Sequence, residues 1–471
     1  MRGRLLVAMT LLALSAGLAS AEGLNLPEIS SFELTNGIDV QVVQHPVVPI
    51  AAVEIWIAAG AIDDPAGQEG LASLTADAMR KGAGDRDAQG FAEAVDFLGA
   101  RFGTSVDAER TRVRIDLQSR DLEKGLDLLA DALLEPAFED AEITKLRDQM
   151  AESVVSDKEN PRNVLSAYHR AHVFGGHRYG RAVDGTETSL PSLQADAVRE
   201  FHRKHFTAAR TQITVAGDVD VEQVRSLLQA RFGVMAAGGV EREAVSPATA
   251  AAETSVLLVN KVDTPQTWFR VGAAGPSWSD LDDYAATEIV RTVFGGRFTS
   301  WLNSALRIEA GLTYGASWRV WRASAGGEAC ISTFTATETT KEAIDLALAQ
   351  LARLHEEGLS EDDLASAKSY LRGQTPYEFE TATSIAAQVA EMKFHGIERS
   401  LVDDLFANID AVTLEDCRAV VDRWFSRENL QITAIGVASE VKEILAGYGP
   451  LTVRENSDPG FAPAPAGEQS R

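Results

Sequence analysis

Cysteine is nearly absent: the 471 residues contain two, Cys330 and Cys417. Small secreted scaffolds are stapled by several disulfides, so this fold must rest on its hydrophobic interior instead. Cys330 sits in a strand-like pattern and Cys417 in a helical one. Two states are open to them, a disulfide or two buried thiols. Basic residues are also scarce, 44 Lys and Arg against 69 Asp and Glu, for a formal charge of -25. That balance excludes a nucleic-acid surface, which needs clustered cations to neutralise phosphates. Several catalytic signatures are missing: Gly-x-Ser-x-Gly, the phosphate-cradling Gly-x4-Gly-Lys-Ser/Thr, the dinucleotide Gly-x-Gly-x-x-Gly, and His-Glu-x-x-His.

The N-terminus carries an address. Arg2 and Arg4 precede an apolar stretch from Leu5 to Leu18, and Ala19-Ser20-Ala21 supplies a small-x-small cleavage site. Residues 1–21 are expected to be a signal peptide, with the mature chain starting at Glu22 and residing in the periplasm or outside the cell. The stretch is short for a membrane anchor, and no later segment is apolar enough to span a bilayer.

The length exceeds what a single core of roughly 250 to 300 residues supports, and an internal repeat explains it. Phe201 to Phe206 followed by Gln212-Ile213-Thr214-Val215-Ala216-Gly217 recurs as Val420 to Phe425 followed by Gln431-Ile432-Thr433-Ala434-Ile435-Gly436, with 219 positions between the two glutamines. A helical run ending at Gly176 is echoed by one ending at Gly396. The expected fold class is α+β: two homologous lobes, each a mostly antiparallel sheet covered by helices, together forming a clamshell-like chamber. The lobes are placed at 22–237 and 255–453, with an Ala/Glu/Gly-rich linker over 238–254. The Pro-rich tail, 454–471, is expected to be disordered. Asn36-Gly37 before alternating Ile38, Val40 and Val42 predicts a hairpin strand. Apolar periodicity predicts helices over 71–80, 91–98, 122–134 and 143–155.

Ala58-Ala59-Gly60-Ala61, Asp63-Asp64-Pro65 and Gly70-Leu71-Ala72-Ser73-Leu74-Thr75-Ala76-Asp77-Ala78-Met79-Arg80-Lys81-Gly82 resemble the signature region of the insulinase/pitrilysin peptidases. Active members carry an inverted zinc motif here, His-x-x-Glu-His. The resemblance places Ser73, Ala76 and Asp77 at its three functional positions. Two imidazoles one helical turn apart give zinc most of its binding, and the Glu takes a proton from the attacking water. Serine and alanine do neither, so no metal is expected in this chain. The family's third ligand, a Glu some 75 residues on, falls at Glu152 or Ser153, depending on a one-residue shift. His177-Arg178-Tyr179-Gly180-Arg181 is similar to a turn that follows this helix pair in the family.

The second lobe keeps more. Leu306-Arg307-Ile308-Glu309-Ala310-Gly311-Leu312-Thr313-Tyr314-Gly315 is similar to the family's Arg-x-x-x-Gly-Leu-x-Tyr segment, whose Arg and Tyr bind the substrate backbone and steady the oxyanion. The resemblance therefore implies a non-catalytic subunit. Arg307 and Tyr314 would serve the zinc site of a homologous partner subunit, acting on an unfolded peptide. A binding or assembly module without catalytic part is the alternative. His169 and His172 share a helix face, but no Cys or acidic residue joins them at ligand spacing in the sequence. They read as structural, as do His177, His202 and His205.

Overall fold

A computed structural model describes residues 26–238 and 242–463; the expected signal peptide lies outside them. The first sheet comprises β1 (Ile29–Glu33), β2 (Asp39–Gln44), β3 (Ile50–Ile57), β4 (Arg101–Val106), β5 (Thr111–Gln118) and β6 (Thr211–Gly217), in the spatial order β1-β2-β6-β3-β5-β4. The second comprises β7 (Ser255–Asn260), β8 (Gln266–Gly275), β9 (Ser317–Ala323), β10 (Gly326–Ala336), β11 (Gln431–Gly436) and β12 (Leu451–Glu455), ordered β9-β10-β8-β11-β7-β12. Five strands correspond one to one between the sheets, and the repeat sets the register. Gln212 of β6 pairs with Asp39 in parallel, as Gln431 of β11 pairs with Ser255. The sixth strands differ. The first lobe closes its edge with an antiparallel strand from its own N-terminal side, the second with a parallel strand from the C-terminal side.

The Asn36-Gly37 turn links β1 to β2, and Gly37 takes φ 88°, which a side chain disfavours. Leu122–Leu134 and Leu71–Ala78 cover one face of the first sheet, joining Val53, Ile55, Val113 and Ile115 in a single core. Thr340–Glu357 and Leu414–Trp424 help build the corresponding core of the second lobe. Both cysteines are free and buried. The expected α+β class with two lobes is what the structure has.

The opposite sheet faces are also covered, by helices exchanged between the lobes. Pro161–Phe174 of the first lobe lays Val164, Leu165 and Tyr168 on Leu257, Val259 and Ile435 of the second. Ala382–His395 of the second lays Ala382, Ile385, Ala386 and Val389 on Val43, Ala52 and Ala216 of the first. These are the two helical runs that the repeat matches. Their polar contacts are related by the same symmetry with the charges inverted. Arg110 of the first lobe meets Glu391 of the incoming helix at 2.9 Å, whereas Glu328 of the second faces Arg170 of its incoming helix at 4.0 Å. Asp107, Arg110, Trp278, Arg322, Glu391 and His395 help line an inter-lobe cavity of about 730 Å³.

Two boundaries are corrected. Part of the expected linker is docked: Arg242 reaches Asp63 and the Glu109 carbonyl, and Val245 and Ala248 pack against Phe174 and Tyr179. Residues 454–463 of the tail expected to be disordered are held in place. Arg454 is buried and donates to the carbonyls of Asp458, Pro459 and Gly460. Phe461 meets Tyr168 edge-on at 5.0 Å, and Gly460 N–H donates to Glu187. Proline and glycine content concealed one anchoring aromatic and one carbonyl-binding Arg.

Candidate functional site

Asp64 prepares the crevice. Its carboxylate accepts from Gly70 N–H (2.9 Å) and Ala72 N–H (2.8 Å), satisfying orphan donors at the start of helix Leu71–Ala78. Burial pushes its pKa well up, and these two bonds oppose that shift. Gly70 has φ 92°, and a Cβ there would meet Gly185 Cα at 2.8 Å, so the helix start and the loop after Tyr179 approach as only glycines allow. Asp63 is held by Arg210 and Arg242. The Asp63-Asp64 pair is thus the scaffold of the signature helix.

On that helix Ser73 is buried, and its hydroxyl donates to Val183 O at 2.9 Å, with Asp184 Oδ1 at 3.3 Å. Ala76 is buried in the core. Asp77 accepts from Thr104 Oγ1 at 2.8 Å and faces Arg80 at 3.5 Å. Glu152 and Ser153 are both exposed on helix Asp140–Asp157, while Val154 is buried. Val154 lines a cavity of about 320 Å³ together with Asp157, Asp184 and the tail residue Phe461. Of the three consecutive residues only Val154 is buried. Asp184 is raised by burial first, then by the charges of Asp77 and Asp157, with the Ser73 hydrogen bond opposing.

Zinc at this crevice fails a test of donors. Ser73 has committed its hydroxyl, Ala76 has none, Val154 is apolar, and Asp77 is the sole carboxylate at a motif position. The motif positions themselves offer zinc one carboxylate and no imidazole.

Arg307 and Tyr314 lie elsewhere. Arg307, in the irregular helical turn Ser304–Glu309, stacks over Phe298 with its guanidinium carbon 4.6 Å from the ring centroid. Tyr314 is 81% exposed and borders a cavity of about 610 Å³ that also includes Arg162, Arg270 and Arg319. Arg307 does not line that cavity. Phe298 and Ile308 are exposed as well, and the cavity at Tyr314 is lined from both lobes, by Arg162 and Leu165 of the first as well as Arg270 and Arg319 of the second.

Sequence reasoning also missed a buried polar cluster. His169 comes to Glu328 and Cys330 of β10, partners far along the chain, so no local spacing announces them. Their ligand-type atoms all lie within 4.8 Å of one another.

Taken together, these features define a two-lobed α+β scaffold whose signature helix carries Ser73, Ala76 and Asp77. A model described as insulinase (peptidase family M16) matches residues 40–187, and one described as the peptidase M16 inactive domain matches residues 192–371. An uncharacterized zinc protease of Mycobacterium leprae is 26% identical over 406 residues, covering 84% of this chain and 88% of its own. One from Streptomyces coelicolor is 24% identical, covering 82% and 85%. A peptidase M16 inactive domain from Pseudomonas fluorescens superposes with TM-score 0.82 at 22% identity, over 87% of this chain and 98% of that one. A Helicobacter pylori protease gives 0.80 at 18% identity, over 87% and 100%. The chain belongs to the insulinase family, peptidase family M16.

Proposed function

We propose that this chain is the non-catalytic subunit of a heterodimeric zinc endopeptidase in the periplasm or outside the cell, binding unfolded peptide and serving a homologous partner that carries the zinc. One observation supports the reading: the signature helix carries Ser73, Ala76 and Asp77, one carboxylate and no imidazole, in a scaffold that otherwise superposes on the family. Selection on the scaffold without its chemistry is what a supporting subunit needs.

Arg307 and Tyr314 are assigned to peptide binding and to donation toward developing oxyanion charge in the partner's site. A guanidinium and a phenol are strong donors that stay preorganised. The exposure of Tyr314 suits contact with a bound peptide, and the exposed Phe298 and Ile308 suit an interface. A second reading, assembly without any catalytic part, is favoured by Phe461, which fills space beside the old crevice.

Co-expression with a zinc-bearing homologue decides between them. The heterodimer hydrolyses an unfolded peptide, this chain alone does not, and Arg307→Ala or Tyr314→Phe lowers turnover about 10- to 1000-fold. Unchanged turnover in both variants removes the catalytic assignment and leaves assembly.

A further inference from the structure

The inter-lobe face holds a hydrogen-bond chain whose direction can be worked out atom by atom. Gln431 Nε2 donates to the carbonyls of Glu253 (2.9 Å) and Asn429 (3.0 Å), so its Oε1 is the acceptor for Ser255 Oγ–H. Ser255 Oγ, having given its proton, accepts from His172 Nε2–H at 2.8 Å. Burial holds the His172 pKa down to about 4, so the ring is neutral and its Nδ1 is a bare lone pair. Thr433 Oγ1–H donates to that lone pair at 3.0 Å and accepts from His169 Nδ1–H at 3.1 Å. His169 is fully buried, and its Nε2 has no hydrogen-bond partner.

Glu328 Oε1 lies 4.0 Å from that nitrogen, and Cys330 Sγ lies 3.3 Å from the same oxygen, which also accepts from Arg270. Glu328 Oε2 is also buried without a hydrogen-bond partner. Two orphaned polar atoms beside a thiol cost free energy as they stand, since buried polar atoms are normally satisfied.

We infer that His169 Nε2, Cys330 Sγ and the Glu328 carboxylate form a structural site for a zinc-class divalent cation, separate from the degenerate crevice. The donor set is one imidazole, one thiolate and one carboxylate, the types zinc accepts. Ligand-to-ligand edges of a tetrahedral zinc site run roughly 3.3 to 3.8 Å; the Cys330–Glu328 edge is already there at 3.3 Å, and His169, within 4.8 Å of both, has to move inward. Thr433 behind His169 and Arg270 behind Glu328, at 2.9 Å, are outer partners that fix ligand orientation. Arg270 and Arg170 flank Glu328 and oppose a bare dication, a cost that the metal–thiolate bond has to outweigh. Binding releases the Cys330 proton to solvent. His169 comes from the helix exchanged out of the first lobe and the other two ligands from the second, so the ion ties the lobes together.

The test uses cobalt(II) as an optical probe in the full-length mature chain. The expected result is one cobalt per chain with a thiolate-to-cobalt absorption band. Asp77→Asn and Cys417→Ser leave that band unchanged, Cys330→Ser abolishes it, and His169→Gln weakens the affinity about 100-fold. Absence of the band in the unmodified chain overturns the site, whatever the variants do. So does a band that survives Cys330→Ser.

Discussion

His172 offers a quantitative test of the inter-lobe contact. Its folded pKa is about 4 against an ordinary 6.5, because burial disfavours the charged ring. A histidine depressed in this way contributes stability that is complete above pH 6.5 and is lost as the pH falls from 6.5 toward 4. The unfolded chain takes up the proton first. With these two values, going from pH 7 to pH 5 removes about 2 kcal/mol through this residue. Other groups also titrate over that range, so the informative quantity is a difference. Urea unfolding of the unmodified chain and of His172→Asn is compared at pH 7 and pH 5. The variant starts lower, having lost its bonds to Ser255 and Thr433. It should nevertheless lose about 2 kcal/mol less on acidification. An equal loss in both proteins would refute the argument, since it would mean that His172 protonates as easily folded as unfolded.

Asp64→Ala should cost about 1 to 3 kcal/mol in thermal or urea unfolding, because two buried N–H donors at the start of the signature helix lose their acceptor. Asp77→Ala, whose partly exposed carboxylate gives up Thr104 and a weak contact with Arg80, should cost less than about 1 kcal/mol. Rebuilding the inverted motif with Ser73→His, Ala76→Glu and Asp77→His should yield no peptide hydrolysis by the chain alone. Zinc retention, read by elemental analysis, is expected only when Val154→Glu is added, because Glu152 is exposed. Phe461→Ala should lower stability by about 1 to 3 kcal/mol and hasten proteolytic trimming of the tail, since the ring packs on Tyr168 and lies over Lys158.

Much of the architecture was legible because it depends on periodicity. Gln212 and Gln431 announced corresponding strands, and Asn36-Gly37 announced a hairpin turn, because local sequence fixes both. The exchange of helices was not legible. The matched runs ending near Gly176 and Gly396 carry apolar faces, and nothing local says which sheet each face covers. The loss of ligands at Ser73, Ala76 and Asp77 could be read residue by residue. The inward residue of helix Asp140–Asp157 could not, because a one-residue shift rotates a helix by about 100°. His169 was taken as structural for want of nearby donors, and Glu328 and Cys330 arrive only through the tertiary fold.

The reciprocal helices also bear on how a polypeptide could enter. Prising the halves apart would strip Ile385 and Val389 from one sheet and Leu165 and Tyr168 from the other, wetting two greasy seams at once. A molecule stitched in this manner behaves as a stiff wall. In the proposed heterodimer, opening for a substrate would therefore have to occur at the joint with the partner rather than between these two lobes.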